Sequence, residues 1–255
     1  MTSNLEGILK NIRYLILSNS LNLTYLNTKY IKILMNDFNL FVFYPILTSA
    51  ITYWGTSFFW FILDLTLAPL FRVFNDEIDW QLYKKTLIHV FFLQMSTTPI
   101  IMTLLIPLWK YRNVSTSQDD IFSFNNFFKL LLCPLLSDVV FYYSHKLIHY
   151  NYFYKNVHKL HHEWKNPCAL CAAYTTFYEY IFCNLPTFLL PPMILGLNWY
   201  VANIWFVYAT ISVTTDHSGY IFFSKSIHHA NHHKYTSYNY GSYFLDFLNN
   251  SLFRN

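Results

Sequence analysis

Nine of the chain's 11 histidines fall in three short runs. The first is His145-Lys-Leu-Ile-His149, whose imidazoles at i and i+4 project from one helix face and can reach one metal. That face continues backwards through Tyr142 and Asp138. The second run is His158-Lys-Leu-His161-His162. The third, His228-His229-Ala-Asn-His232-His233, repeats the same H-x-x-H-H spacing from His229. Any one run alone reads equally well as a polar helix face or a solvated surface. Together they point to metal binding. The eight imidazoles in the repeated spacings exceed the roughly four ligands of a zinc site, so they suit two adjacent ions. Carboxylate-bridged bundles build such pairs mainly from Glu and Glu-x-x-His, and this chain lacks a matching acidic set. Imidazole accepts Fe, Zn, Cu and Ni, so ligand type alone does not choose the ion.

Other reactive residues carry less. Asp138, Glu163, Glu179 and Asp216 are candidates to orient imidazoles from outside the ligand shell; a solvent-exposed role fits Glu163 equally. His89, alone in an apolar run, reads as a buried histidine with its hydrogen bond satisfied. Cys168 and Cys171 form a lone C-x-x-C, which reads as structural, and with Cys133 and Cys183 the four cysteines are too few for a disulfide framework.

The elements that must hold these residues are apolar. The 255-residue chain is 54% hydrophobic, 21% aromatic and 12% charged, about half the charge of an average soluble domain at roughly 25%. That excludes disorder and coiled coil, and a net charge of +4 with no basic run gives no nucleic-acid footprint. Phe41 to Leu63 is a charge-free run long enough to cross hydrocarbon, and Thr86 to Trp109 is a second. Phe127 to Tyr143 is shorter and carries Pro134 and Asp138. Tyr180 to Thr215 divides at Pro191, Pro192 and Gly196 and predicts a helical hairpin.

These runs predict an all-α integral membrane protein: a bundle of about four membrane helices with a His-rich cytosolic cap holding a di-metal site. Its parts are a polar segment (1–40), N-terminal membrane helices (41–126) and the region of the histidine runs (127–255). Lys10, Arg13, Lys29 and Lys32 lie before the first run; Lys146, Lys155, Lys159 and Lys165 lie among the histidines. If both groups face one side, 127–143 does not span; if it spans, they lie on opposite sides. The N-terminus shows no secretory signal pattern.

The order H-x-x-x-H, H-x-x-H-H, H-x-x-H-H on a membrane protein resembles the fatty acid hydroxylase/sterol desaturase superfamily. Asp138-Val-Val-Phe-Tyr-Tyr-Ser-His145 is similar to the family's lead into its first box, and Val157-His158-Lys-Leu-His161-His162-Glu163 to its second. Asp216-His217-Ser-Gly-Tyr220 resembles a stretch of cholesterol 25-hydroxylases and C4-methylsterol oxidases. His229 to Phe244 is similar to the end of sterol C5-desaturases. The resemblance covers about residues 127–248. It implies metal ligands at His145, His149, His158, His161, His162, His229, His232 and His233, with His217 as a ninth and His228 facing away. It implies two iron ions, with zinc the alternative in isolated protein, and O2 as co-substrate. The implied activity is hydroxylation or desaturation of a lipid C–H, a sterol before a fatty acyl chain, in the endoplasmic reticulum membrane with the histidines facing the cytosol. Implied partners are the bilayer lipid and cytochrome b5 or its reductase as electron donor. A non-catalytic metal-binding membrane protein is the alternative. The chain departs from the pattern in the short 221–227 loop and in a tail with Asp246 but no Trp-Asp-Arg.

Overall fold

A computed structural model describes residues 32–66, 68–74 and 76–253; Lys10, Arg13 and Lys29 lie outside them. The described residues are helical, with no strand beyond one antiparallel bridge between Arg72 and Tyr220. Among the described residues, three helices are long and apolar enough to cross a membrane: α1 (Lys32–Thr66), α2 (Trp80–Tyr111) and α3 (Phe124–Ile148). A hairpin follows, α4 (residues 177–195) and α5 (Trp199–Asp216), then two short helices, α6 (Ser224–Tyr235) and α7 (Tyr243–Leu248).

Local chemistry fixes the helix ends. Asp79 caps α2 by accepting from the amides of Gln81 and Leu82, and Ser123 caps α3 by accepting from Asn126. Asn198 caps α5 through the Tyr200 amide. The hairpin turns at Gly196, whose φ of +58° suits a residue without Cβ. Pro191 and Pro192 were expected to share in that break, but both lie inside α4. The hydrogen bond a proline forfeits is tolerable where neighbouring helices cover the backbone.

The five long elements alternate in direction. The end of α1 and the start of α2 meet the histidine region, through Asp64 to Arg72 and Lys85 to Glu163. At the other end, Lys110 pairs with Asp37, and Lys129 donates to the carbonyl of Gly196. The segment 127–143 therefore runs the length of the bundle within α3, and the start of α1 lies opposite the histidines. Outer faces are apolar: Leu104, Leu135, Phe58 and Ile51 are each more than 60% exposed, surface that lipid covers at no hydrophobic cost. Inside, Trp109, Trp199 and Phe41 pack at the end away from the histidines, with Trp109 and Trp199 ring centroids 4.9 Å apart. Cys168, Cys171, Tyr53 and Tyr174 pack beneath the histidine cap, and Tyr53 donates to the carbonyl of Leu170.

Candidate metal centre

Four elements deliver the imidazoles. The end of α3 carries His145 and His149. A wide turn at Tyr154–His158, closed by the Lys159 amide on the Tyr154 carbonyl, leads into a tight turn at His161–Glu163. His217 caps the end of α5, and α6 presents His229, His232 and His233. The result is two clusters. His145, His149, His158, His162 and His232 form the first, and His161, His217, His229 and His233 the second; within each, the facing ring nitrogens lie within 4.8 Å of one another. Eight of the nine are buried and His149 is partly so. The structure thus brings together all nine histidines named from the sequence.

Backbone carbonyls hold the rings. The Nδ1–H of His145 donates to Tyr240 (2.6 Å), of His232 to Tyr238 (2.6 Å), of His233 to Trp164 (2.7 Å), of His217 to Val213 (2.8 Å) and of His161 to Tyr174 (3.3 Å). A carbonyl can only accept, so each of these rings, when neutral, turns its Nε2 lone pair into the cluster. His158 is held differently: its Nδ1 lies 2.8 Å from a carboxylate oxygen of Glu179, which is almost fully buried.

The inward nitrogens then conflict unless a cation lies among them. Nε2 of His145 and His158 are 3.0 Å apart, and Nε2 of His161 and His217 are 3.3 Å apart. Between His161 and His217, both anchored at Nδ1 by carbonyls, lone pair faces lone pair. Nε2 of His232 and of His233 is buried with no hydrogen-bond partner. Ligand atoms bonded at about 2.1 Å to one ion are about 3.0–3.4 Å apart in octahedral or tetrahedral shells, which matches these spacings. The donor set fits a pair of borderline transition-metal ions, one per cluster.

Protons cannot substitute for the metal at neutral pH. Burial, reinforced by neighbouring imidazoles, holds His158, His162, His229, His232 and His233 well below the ordinary histidine value. Burial takes His149 to about 2 and His217 to about 4. Neutral imidazole is the metal-binding form.

Beneath the clusters, between the helices, lies a cavity of about 260 Å³. Its walls descend from His145, His158, His161, His217 and His229 along α3 to Pro134 and along α5 to Trp205. From His145 to Pro134 is eleven residues of helix, roughly 16 Å. The deep wall is apolar, with Ile46, Met102, Leu185, Phe188, Leu189 and Phe206.

Of the carboxylates expected to orient imidazoles, only Glu179 does so. Asp138 and Asp216 make no hydrogen bond to an imidazole and instead line the cavity beside Lys225. Glu163 accepts from Lys85 and from the Tyr174 hydroxyl at the surface; despite partial burial, which opposes it, these bonds hold its carboxyl below the usual range. His89 is satisfied by the Thr175 carbonyl at 2.7 Å. His228 turns from the clusters to Asp246, 2.9 Å away.

Asp246 has a role that no motif around it marks. Its carboxylate also accepts from the Tyr240 and Gly241 amides and the Ser251 hydroxyl. Burial pushes this carboxyl up, but its four donors together bring it below the ordinary value. Ser251 in turn meets the Tyr142 hydroxyl at 2.7 Å. The tail therefore closes over α3 without the Trp-Asp-Arg pattern.

Residues 130–251 match the fatty acid hydroxylase family model. That match covers just under half of the chain and, with the relatives it resembles, supports a likeness to the fatty acid hydroxylase/sterol desaturase superfamily. It is 28% identical over 189 residues to fatty acid hydroxylase domain-containing protein 2 of Macaca fascicularis, covering 71% of this chain and 56% of that protein. It is 30% identical over 162 residues to fatty acid hydroxylase ahd1 of Mycosarcoma maydis, covering 62% and 42%. It is 25% identical over 214 residues to methylsterol monooxygenase erg25B of Aspergillus fumigatus, covering 76% and 71%. The chain thus spans about half the length of the first two relatives. No solved structure matches it. The family match begins inside α3, so α1, α2 and the loop between them lie outside it while still lining the cavity and touching the histidine region.

Proposed function

We propose that the two clusters each hold an iron ion and that the chain oxidises an unactivated C–H bond of a membrane lipid, a sterol before a fatty acyl chain. The observation that carries this reading is the convergence of unprotonated Nε2 atoms, on rings anchored at Nδ1 by backbone carbonyls, at one end of a largely apolar cavity between the membrane helices. Bound iron would supply the activation of O2 that such a bond demands. O2, two electrons and two protons then yield either an alcohol and one water or an alkene and two waters. The electrons come from an external donor, for which cytochrome b5 or its reductase is the proposed source. The proposed setting is the endoplasmic reticulum membrane with the clusters facing the cytosol.

The chain's own residues have three tasks in this reaction. Carbonyls of Tyr240, Tyr238, Trp164, Val213 and Tyr174 fix the imidazoles in one tautomer. The apolar wall excludes bulk water from the oxidising centre. The depth and shape of the cavity choose which carbon of the lipid reaches the histidines. Similarity to a methylsterol monooxygenase over most of both chains supports the sterol class; similarity to fatty acid hydroxylase ahd1 supports the acyl alternative.

The test is expression of the full chain in yeast of defined sterol and lipid content, followed by mass spectrometry of the whole lipid extract. A lipid that gains one oxygen or loses two hydrogens, only in cells making the protein, is the expected result. Folded, metal-loaded protein that leaves every lipid unchanged would overturn the reading.

A further inference from the structure

We infer that Arg72, in the loop between α1 and α2, is a positioning residue for the second histidine cluster alone. The inference rests on the reading that each cluster holds a metal ion. Arg72 lies outside the part of the chain that matches the family model. Its side chain is 5% exposed and pairs through Nη1 with Asp64, itself 3% exposed, at 2.7 Å. Nη2 donates to the Asn166 side chain at 2.8 Å and to the Pro167 carbonyl. Asn166 returns a bond to the Phe74 carbonyl at 3.0 Å. One guanidinium fork thus fastens the segment after the second histidine run to the end of a membrane helix.

The same loop holds the segment after His217. The Val73 amide donates to the Gly219 carbonyl and the Ile221 amide to the Phe71 carbonyl, each at 2.9 Å. Gly219 has φ +75°, and a Cβ there would lie 2.8 Å from Nη2 of Arg72 and 3.0 Å from the Pro167 carbonyl. Tyr220 is fully buried and stacks on Trp60 of α1, centroids 5.2 Å apart.

Both fastened segments adjoin second-cluster ligands; the Asn166 segment also follows His162 of the first cluster, whose other rings are held elsewhere. His217 is two residues before Gly219. Trp164, two residues before Asn166, gives its carbonyl to His233 and is itself held by Thr86 of α2. First-cluster rings lean on other groups: His145 and His232 on the carbonyls of Tyr240 and Tyr238, and His158 on Glu179. No contact of Arg72 reaches those anchors among the described residues. Loss of the fork therefore frees His217 and His233 while leaving His145, His158 and His232 held.

The experiment measures bound metal per protein, and the rate of metal release to a chelator, on the full chain purified in detergent. Wild type is expected to hold two ions and Arg72→Met about one. Adding His217→Ala to Arg72→Met should remove nothing more, whereas adding His149→Ala should remove the remaining ion. Arg72→Met with Asp64→Leu replaces the buried pair by apolar side chains, which keeps a core intact more often than a lone buried charge does. It carries the test if the single variant does not fold, and should also hold one ion. Two ions released at wild-type rates in the folded variants, or loss of both, would overturn the role of Arg72. A wild-type protein without metal would instead overturn the reading on which it rests.

Discussion

The two histidine clusters share one chemistry and differ in what holds them. The first hangs from the C-terminal segment, where Asp246 gathers His228, Tyr240, Gly241 and Ser251 and the Tyr238 and Tyr240 carbonyls face inward. The second hangs from the membrane bundle, through the end of α5, the Trp164 segment and the α1–α2 loop. Ligand identity is therefore a poor guide to how firmly each site is built. The first depends on two buried carboxylates, Asp246 and Glu179, and a short tail, and the second on packing between distant helices.

The sharpest way to separate the clusters uses adjacent residues. His161 belongs to the second cluster and His162 to the first. His161→Ala and His162→Ala should each abolish lipid product while the protein stays folded and membrane-bound, and metal analysis should find one ion missing from each. Equal loss of both ions from either variant would merge the two clusters into one site.

Acid should act next most strongly, on metal-free protein. A buried imidazole with a lowered value stays neutral in the folded state while the unfolded chain takes up a proton. Stability is thus full above the ordinary histidine value near 6.5 and falls as pH drops below it. For His217, lowered to about 4, the loss is on the order of 3 kcal/mol between those limits. Thermal melting of metal-free protein between pH 7 and 4.5 should show a steep decline that bound metal suppresses.

Asp246→Asn keeps an acceptor but removes the charge its four donors share, and should cost about 2–4 kcal/mol. Its mark is faster metal release from the first cluster with the second unchanged, measured in a His161→Ala background against a His162→Ala background. Glu179→Gln should weaken metal at the first cluster by roughly 10–100-fold through His158; competition against a chelator reads this directly. Tyr142→Phe removes one hydroxyl contact with Ser251 and should lower stability by about 1 kcal/mol, seen as a small drop in melting temperature.

The ligands were legible as repeated histidine spacings, but the expected single helix face did not hold: His158 to His162 lies on two successive turns, and adjacent histidines divide between the two clusters. The helices were visible as charge-free runs, although α1 and α2 extend beyond them, since polar ends continue a helix once capped. His217 came into view through its neighbours in Asp-His-Ser-Gly-Tyr. The anchors did not, because every residue has a carbonyl and nothing in Trp164 or Tyr240 says that its own will accept from a histidine. Nothing near Arg72 in sequence marks it, since its partners Asn166 and Pro167 lie more than ninety residues away. Asp138 and Asp216 sit near histidines in sequence but turn towards the cavity, a direction that spacing alone does not fix.

The order of anchors along the chain has a consequence for biosynthesis. Every carbonyl that holds a second-cluster ring (Trp164, Tyr174, Val213) precedes that cluster's last ligand, His233. The first cluster has its last ligand at His232, yet its anchors at Tyr238, Tyr240 and Asp246 come afterwards. As the chain leaves the ribosome, the second cluster has all its parts as soon as His233 emerges. The first must wait for Asp246, 13 residues further on, so a nascent chain completes one histidine cluster before the other.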